Sequence, residues 1–279
     1  MYTRLRDIHP AAGTLTFPRN TKLMHNFTLR DAEGRLIHNT NHEAHEQFVV
    51  HHFLRPDDSV IELGGGIGTN SIQINMTLRG RAKDNHYVFE PQAELVRVLR
   101  DNGKRHGCRF HAVHGVLSKE RNVRVPRYNP DRKTWIFVKA DVNARGPVVP
   151  SVRALPIHPT AIVADCEGCL LAVLIDFPEI LRDLRMVYME NDGGRDVLNG
   201  VREILLDHGF EQRVNTGHHK LFVRRRRSSS STSKRRRRSS RRERPVAGKV
   251  PRDAAPGRPT HEPDGRCVHR RPSGTTLSL

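Results

Sequence analysis

Aromatic residues make up only 5% of this 279-residue sequence, with a single Trp, and its mean hydropathy is −0.62. That scarcity leaves no aromatic-rich basic platform on which nucleic-acid bases could stack. Apolar runs are also short. The longest candidate, Cys169 to Ile175, falls far below the about eighteen uninterrupted apolar residues of a membrane span. Cysteine is sparse, and Cys108, Cys166, Cys169 and Cys267 stand at irregular spacing. The N-terminal MYTRLRDIHPAAGTLTF lacks the apolar stretch of a signal peptide. These absences predict a soluble, intracellular protein in a reducing setting.

Basic charge is abundant and unevenly placed. From Arg224 to Leu279 there are 18 of the 48 Lys+Arg and 4 of the 30 Asp+Glu, so this segment carries +14 of the formal +18. The remainder is close to ordinary in charge, and basicity is a property of the tail. RRRRSSSSTSKRRRRSSRRER and the Pro/Gly-rich stretch after it contain too little apolar surface to offset the entropy of ordering them. A disordered tail is expected over 224–279. Its clusters Arg224 to Arg227 and Lys234 to Arg238 would bind phosphate polymers non-specifically and with strong salt dependence. They also read as a nuclear-localisation address, and phosphorylation of the intervening serines would cancel charge. A merely solubilising tail is the alternative.

Ahead of the tail, His25 to Asp31 and Arg35 to Asn39 flank Ala-Glu-Gly and predict a hairpin. Thr40 or Asn41 would cap a helix whose Ala44, Phe48, Val49 and Phe53 share one face, ending before Pro56. The N-terminal extension and this leading helix span 1–54. Over 55–223, strand patterns (Val60 to Leu63, Tyr87 to Glu90, Phe110 to Val113, Ile162 to Asp165, Met186 to Glu190) alternate with helical ones. That alternation predicts an α/β fold with a doubly wound, mostly parallel sheet. Val123 to Val125 and Trp135 to Val138 suggest an inserted hairpin, and Phe210 to Val214 with His218 to Val223 a closing antiparallel one. Such a closing pair resembles the last strands of class I methyltransferases.

The central motif is Val60-Ile61-Glu62-Leu63-Gly64-Gly65-Gly66-Ile67-Gly68-Thr69, a buried strand entering a glycine turn that opens a helix. A dinucleotide fingerprint from Gly64 would need glycine at position 69, which is Thr69. The spacing is E-x-G-x-G-x-G, in which loop amides and the helix start would face an amino-acid cofactor rather than a pyrophosphate. Glu62, Gly64, Gly66 and Gly68 are the candidate cofactor contacts there. Glu62 would meet the ammonium group of a methionine moiety. Glu90 ends the next strand, about twenty residues on, where an acid can accept both ribose hydroxyls.

Three segments, VIELGGGIGTNSI, VFEPQAELVRVLRDN and IVADCEGCLLAVL, resemble the FkbM family of methyltransferases over roughly Arg55 to Val223. Asp165-Cys166-Glu167-Gly168 matches the D-x-E-G signature of that family. The chain departs from the family in having Val163-Ala164 before the aspartate, where a lysine is common. The resemblance implies a Rossmann-like fold, S-adenosylmethionine as cofactor, and methylation of a hydroxyl oxygen on a sugar or other small molecule. Asp165 and Glu190, each at a strand end, are the candidate catalytic acids, with Asp165 as base or hydroxyl acceptor. Glu167 holds the turn, touches substrate, or only caps the following helix. Asp165 with Glu190-Asn191 also resembles an acid, acid, amide set that holds Mg²⁺ in some O-methyltransferases, although no metal ligand is assigned. The other readings are a nucleic-acid-binding protein with an inactive methyltransferase-like domain, and an enzyme that methylates nucleic acid.

Cys166-Glu167-Gly168-Cys169 has no second C-x-x-C to complete a zinc site and reads as small buried residues. His42-Glu43-Ala44-His45-Glu46 misses the H-E-x-x-H spacing by one position and reads as a solvated helix face. The pair His218-His219 reads as surface.

Overall fold

In the computed structural model, the residues described are 26–39, 43–78, 82–121, 123–124 and 147–225. Strand β1 (Thr28–Arg30) pairs antiparallel with β2 (Leu36–His38), as the Ala-Glu-Gly turn predicts. Helix α1 (Ala44–Phe53) leads to β3 (Val60–Leu63), α2 (Thr69–Thr77), the short α3 (Ala82–Asn85), β4 (His86–Glu90) and α4 (Ala93–Arg105). Then come β5 (His111–His114), β6 (Val116–Leu117), β7 (Val123–Arg124), β8 (Val148–Val149) and β9 (Ser151–Val152). The last elements are β10 (Ala161–Ala164), α5 (Leu170–Asp176), β11 (Met186–Glu190), α6 (Gly194–Asp207), β12 (Phe210–Asn215) and β13 (His219–Arg224).

Seven strands form one sheet in the order β12-β13-β11-β10-β3-β4-β5. The five from β11 to β5 are parallel, and β13 and β12 join antiparallel. This is the doubly wound sheet with an antiparallel closing hairpin that the alternation predicts. The chain moves outward from β3 through β4 to β5, then returns to the other side of β3 with β10. The carboxyl ends of β3 and β10 therefore flank a topological switch point, where open α/β sheets leave a crevice for ligands.

A two-residue side-chain period divides the core between the two faces of the sheet. Ile61, Leu63, Ile162, Ala164, Val187 and Met189 pack with α5 and α6 residues such as Val173, Leu174, Val201 and Leu205. Val60, Ala161, Val163, Met186 and Tyr188 pack on the other face with Val49, Val50 and Leu54 of α1 and its continuation, and with Ile74 and Leu78. Strands β3 and β10 are buried on both faces, which is why β10 reads as an apolar run and β3 as one interrupted only by Glu62.

Several expectations change. Helix α1 buries Glu46, Gln47, Phe48, Val49 and Val50, so its covered face is broader than the predicted stripe and partly polar. It is packed between the sheet and the β1–β2 hairpin side, where Gln47 Oε1 accepts from Asn39 Nδ2 at 2.8 Å and Gln47 Nε2 donates to the Asn39 carbonyl at 2.9 Å. Strand β7 pairs with β8; Trp135 to Val138 and the predicted inserted hairpin's second strand lie outside the described residues. Strand β13 runs through Arg224, one residue past the expected limit of 223. The basic tail beyond Arg225 lies outside the described residues. Among the described residues no helix is long and apolar enough to cross a membrane.

Candidate functional site

The turn after β3 is shaped by glycine at the positions that need it. Gly64, Gly66 and Gly68 have φ of 87°, 49° and 98°, in the left-handed region that side chains disfavour. At Gly64 the constraint is also spatial, because an added Cβ would lie 1.7 Å from the Asp165 carbonyl oxygen. The β3 and β10 ends are thus pressed together, with Asp165 N donating to Leu63 O at 2.9 Å, while Gly64 N donates to Phe89 O of β4 at 2.9 Å. At Gly66 an added Cβ would meet nothing within 4 Å. That glycine faces open space.

A cleft of about 920 Å³ lies above these strand ends, lined by Gly64, Gly65, Gly66 and Glu90 on one side and Asp165, Glu167 and Glu190 on the other. Glu90, 4% exposed, joins the strands: its Oε2 accepts from Gly66 N and its Oε1 from Gln92 N, both at 2.9 Å. The Gly65 amide is directed at this carboxylate as well, and a carboxylate's roughly four acceptor positions leave room for a further donor. Burial raises this carboxyl to about 7 despite the amide bonds that oppose the shift.

The structure separates two of the predicted cofactor contacts from the cleft. Glu62 is 1% exposed and does not line it. Because side chains alternate along β3, Glu62 points with Val60 toward the α1/α2 layer. There its Oε1 accepts from Ser71 Oγ at 2.9 Å and its Oε2 lies 2.8 Å from His86 Nε2. Gly68 is also outside the lining; it is the residue before α2, and an added Cβ there would lie 2.9 Å from Leu99 Cδ1. Its glycine serves the turn.

At the opposite end Asp165 hydrogen-bonds Glu190, and burial, followed by the charges of Glu46, Glu43 and Glu190, holds its carboxyl well above the usual range. Glu167 stands at φ 53°, and burial raises it to about 7, with Asp192 and Glu190 adding to the shift. It does not cap α5, which begins without a side-chain cap. Asn191 is not in the cleft lining, so the acid, acid, amide set is not assembled there.

The same turn corrects the reading of the cysteines. Cys166 and Cys169 are joined by a disulfide with Cα atoms 5.5 Å apart, and both are half-buried at the cleft wall. The left-handed Glu167 and Gly168 fold the segment back so that the two side chains meet. A bonded pair is not what a reducing setting predicts.

Cleft residues not assigned from the sequence include Glu43, Glu46, Asn70 and His219. Glu46 is 2% exposed, not solvated, and accepts from Asn70 Nδ2, which also reaches Glu43 Oε2 at 3.3 Å. His219 is half-buried, with Nδ1 2.7 Å from the hydroxyl of Tyr188. The sequence signals were the near-miss H-E-A-H-E and the histidine pair, neither of which indicates the direction of a side chain.

The chain is similar to several solved methyltransferases. The FkbM methyltransferase of Methylobacillus flagellatus KT shares 13% identity at a TM-score of 0.45, over 61% of this chain and 44% of that one. The precorrin-6y C5,15-methyltransferase of Geobacter metallireducens GS-15 shares 14% at 0.42, over 64% and 87%. A putative tRNA (m1A22) methyltransferase of Streptococcus pneumoniae, solved with S-adenosyl-L-methionine, shares 14% at 0.38, over 66% and 75%. This chain therefore spans less than half of the FkbM structure. No protein-family model and no curated protein matches the sequence.

Proposed function

We propose that this chain is an S-adenosylmethionine-dependent methyltransferase acting on a hydroxyl oxygen of a sugar or other small molecule. The observation that carries the reading is the tie between Gly66 and Glu90 at the switch point. A glycine turn whose open side faces a cleft is held 2.9 Å from an acid on the neighbouring strand. Gly64, Gly65 and Gly66 form a cradle that approaches closely to a methionine moiety, and Glu90 has free acceptor capacity for a ribose diol. A volume of about 920 Å³ suits a nucleoside together with a small acceptor.

S-adenosylmethionine, when bound, supplies a methyl group already activated on sulfonium. What remains for the protein is alignment and the acceptor's proton. Positioning contributes roughly 7–11 kcal/mol in the best intramolecular cases. Asp165, held protonated by burial beside other acids and bonded to Glu190, passes its own proton to Glu190 as it accepts the hydroxyl proton. Glu167, at the rim of the same turn, orients the acceptor. Glu43, Glu46, Asp165, Glu167 and Glu190 make this end strongly acidic, which repels a phosphate backbone and favours a neutral or cationic acceptor over nucleic acid.

Titration calorimetry on the full chain tests the reading. S-adenosylmethionine and S-adenosylhomocysteine should both give binding heat, and Glu90→Ala should weaken both by about 10- to 100-fold, the worth of one or two charged hydrogen bonds. A folded protein that binds neither would overturn it. Methyl-labelled cofactor offered with carbohydrate, lipid, nucleic-acid and protein fractions identifies the acceptor class; label appearing solely in nucleic acid would overturn the small-molecule assignment.

A further inference from the structure

The acidic end of the cleft contains a mixed donor set of which the methyl-transfer reading uses only Glu190. Glu46 comes from α1, Glu190 from the end of β11 and His219 from the start of β13, and one donor atom from each lies within 4.8 Å of the others. These are 144 and 29 positions apart along the chain, so only the packing of α1 against the β11–β13 edge assembles them. We propose that Glu46, Glu190 and His219 hold one divalent metal ion of the Mn²⁺ type.

Three observations support the site beyond its acidity. The imidazole is oriented: the Tyr188 hydroxyl, on a fully buried residue, engages His219 Nδ1 at 2.7 Å, which leaves Nε2 as the ring nitrogen for a ligand. A ligating histidine ordinarily has its second ring nitrogen fixed in this way. Asn70, 4% exposed and lining the cleft, positions Glu46 through its Nδ2 while its Oδ1 is buried with no hydrogen-bond partner. That carbonyl oxygen is a lone acceptor beside the cluster. Finally, among the described residues the lining has a single Arg and no Lys, and that Arg35 is engaged by Asp31 and Glu33. Several carboxyl groups are thus gathered without a basic side chain, and a dication relieves the cost of keeping buried carboxylates charged.

The donor chemistry narrows the choice. Two carboxylate oxygens and one imidazole nitrogen suit Mn²⁺ and its neighbours, whereas Ca²⁺ and Mg²⁺ favour oxygen throughout. Two neighbouring groups are poorer candidates. Glu190, Asp192 and His218 are mostly exposed, and Glu43, Glu46 and Asp165 offer carboxylates alone. Binding of the ion stands by itself. Its service rests on the methyl-transfer reading: a hydroxyl bound to the ion becomes more acidic.

Tag-free full-length protein titrated with Mn²⁺, followed by loss of the free-ion electron paramagnetic resonance signal, should bind one ion per chain. Glu46→Gln and His219→Asn should each weaken binding at least tenfold, with circular dichroism confirming the fold of each. Asp192→Asn and His218→Ala should bind as the unaltered protein does. Absence of Mn²⁺ binding by folded protein overturns the site. So does binding that survives both ligand substitutions, or that needs Asp192 and His218. Calorimetry with S-adenosylhomocysteine on the same preparation separates the two readings: nucleoside heat without Mn²⁺ binding removes the metal alone, and Mn²⁺ binding without nucleoside heat removes the methyl-transfer reading alone.

Discussion

Glu90 accepts the Gly66 amide at 2.9 Å, so the last residue of β4 fixes the position of the glycine turn that follows β3. Two strands of the sheet are thereby coupled through one carboxylate at the point where the cleft opens. Consequences follow for stability, for pH and for the division between residues that bind and residues that support.

The three-glycine turn should respond unequally to substitution. Gly64→Ala places a methyl group 1.7 Å from the Asp165 carbonyl at a φ of 87°, and the β3–β10 junction cannot move without losing its backbone bonds. A loss of about 2–4 kcal/mol in urea unfolding is expected. Gly66→Ala meets no neighbour and should cost only about 1–2 kcal/mol, the ordinary penalty of a left-handed residue. Equal losses at the two positions would contradict the distinction.

Glu90 should make stability fall as pH rises. Its folded value of about 7 lies above 4.5, so the folded state holds the proton through the window between them and the unfolded state does not. Stability is fully present below 4.5 and declines by up to roughly 3 kcal/mol as pH passes through 7. Glu90→Gln should flatten this part of the pH–stability profile. Nucleoside affinity should move the opposite way, strengthening above pH 7 as the carboxylate ionises.

Glu62 should prove to be a support. Its carboxyl is buried between His86 and Ser71 on the side of β3 away from the cleft. Glu62→Ala should destabilise by about 3–5 kcal/mol, the cost of leaving a buried polar partner unmatched. At a temperature where the variant remains folded, its S-adenosylhomocysteine affinity should lie within about threefold of the unaltered protein, a difference below 1 kcal/mol. A selective loss of affinity would return Glu62 to the binding set.

Thiol labelling tests the Cys166–Cys169 bond. In denaturant without reductant, peptide mapping should find Cys166 and Cys169 unlabelled by a thiol reagent and Cys108 labelled, and all three labelled after reduction. Labelling of Cys166 and Cys169 at the outset would show the pair to be reduced.

Much of this architecture was legible because it is local. The run Val60 to Leu63, the spacing of Gly64, Gly66 and Gly68, and the acid ending β4 lie within about thirty residues and obey short-range rules of strand, turn and helix start. The closing hairpin was legible for the same reason, with Asn215-Thr216-Gly217 between two extended runs. Side-chain direction was less legible. Glu62 sits one residue from the strand end, and the two-residue period decides whether it meets the cleft or the α1/α2 layer.

What the sequence alone determined is the order of elements and the identity of the turn, since backbone conformation depends on neighbours along the chain. What only the tertiary structure decided is the acidic end. Glu46, Asn70, Asp165, Glu190 and His219 meet because α1 packs on α2 beside the β11–β13 edge. That packing also inverts the expected surface of α1, burying Glu46. Contact between residues far apart in sequence depends on which faces the whole fold covers, and no local pattern encodes that.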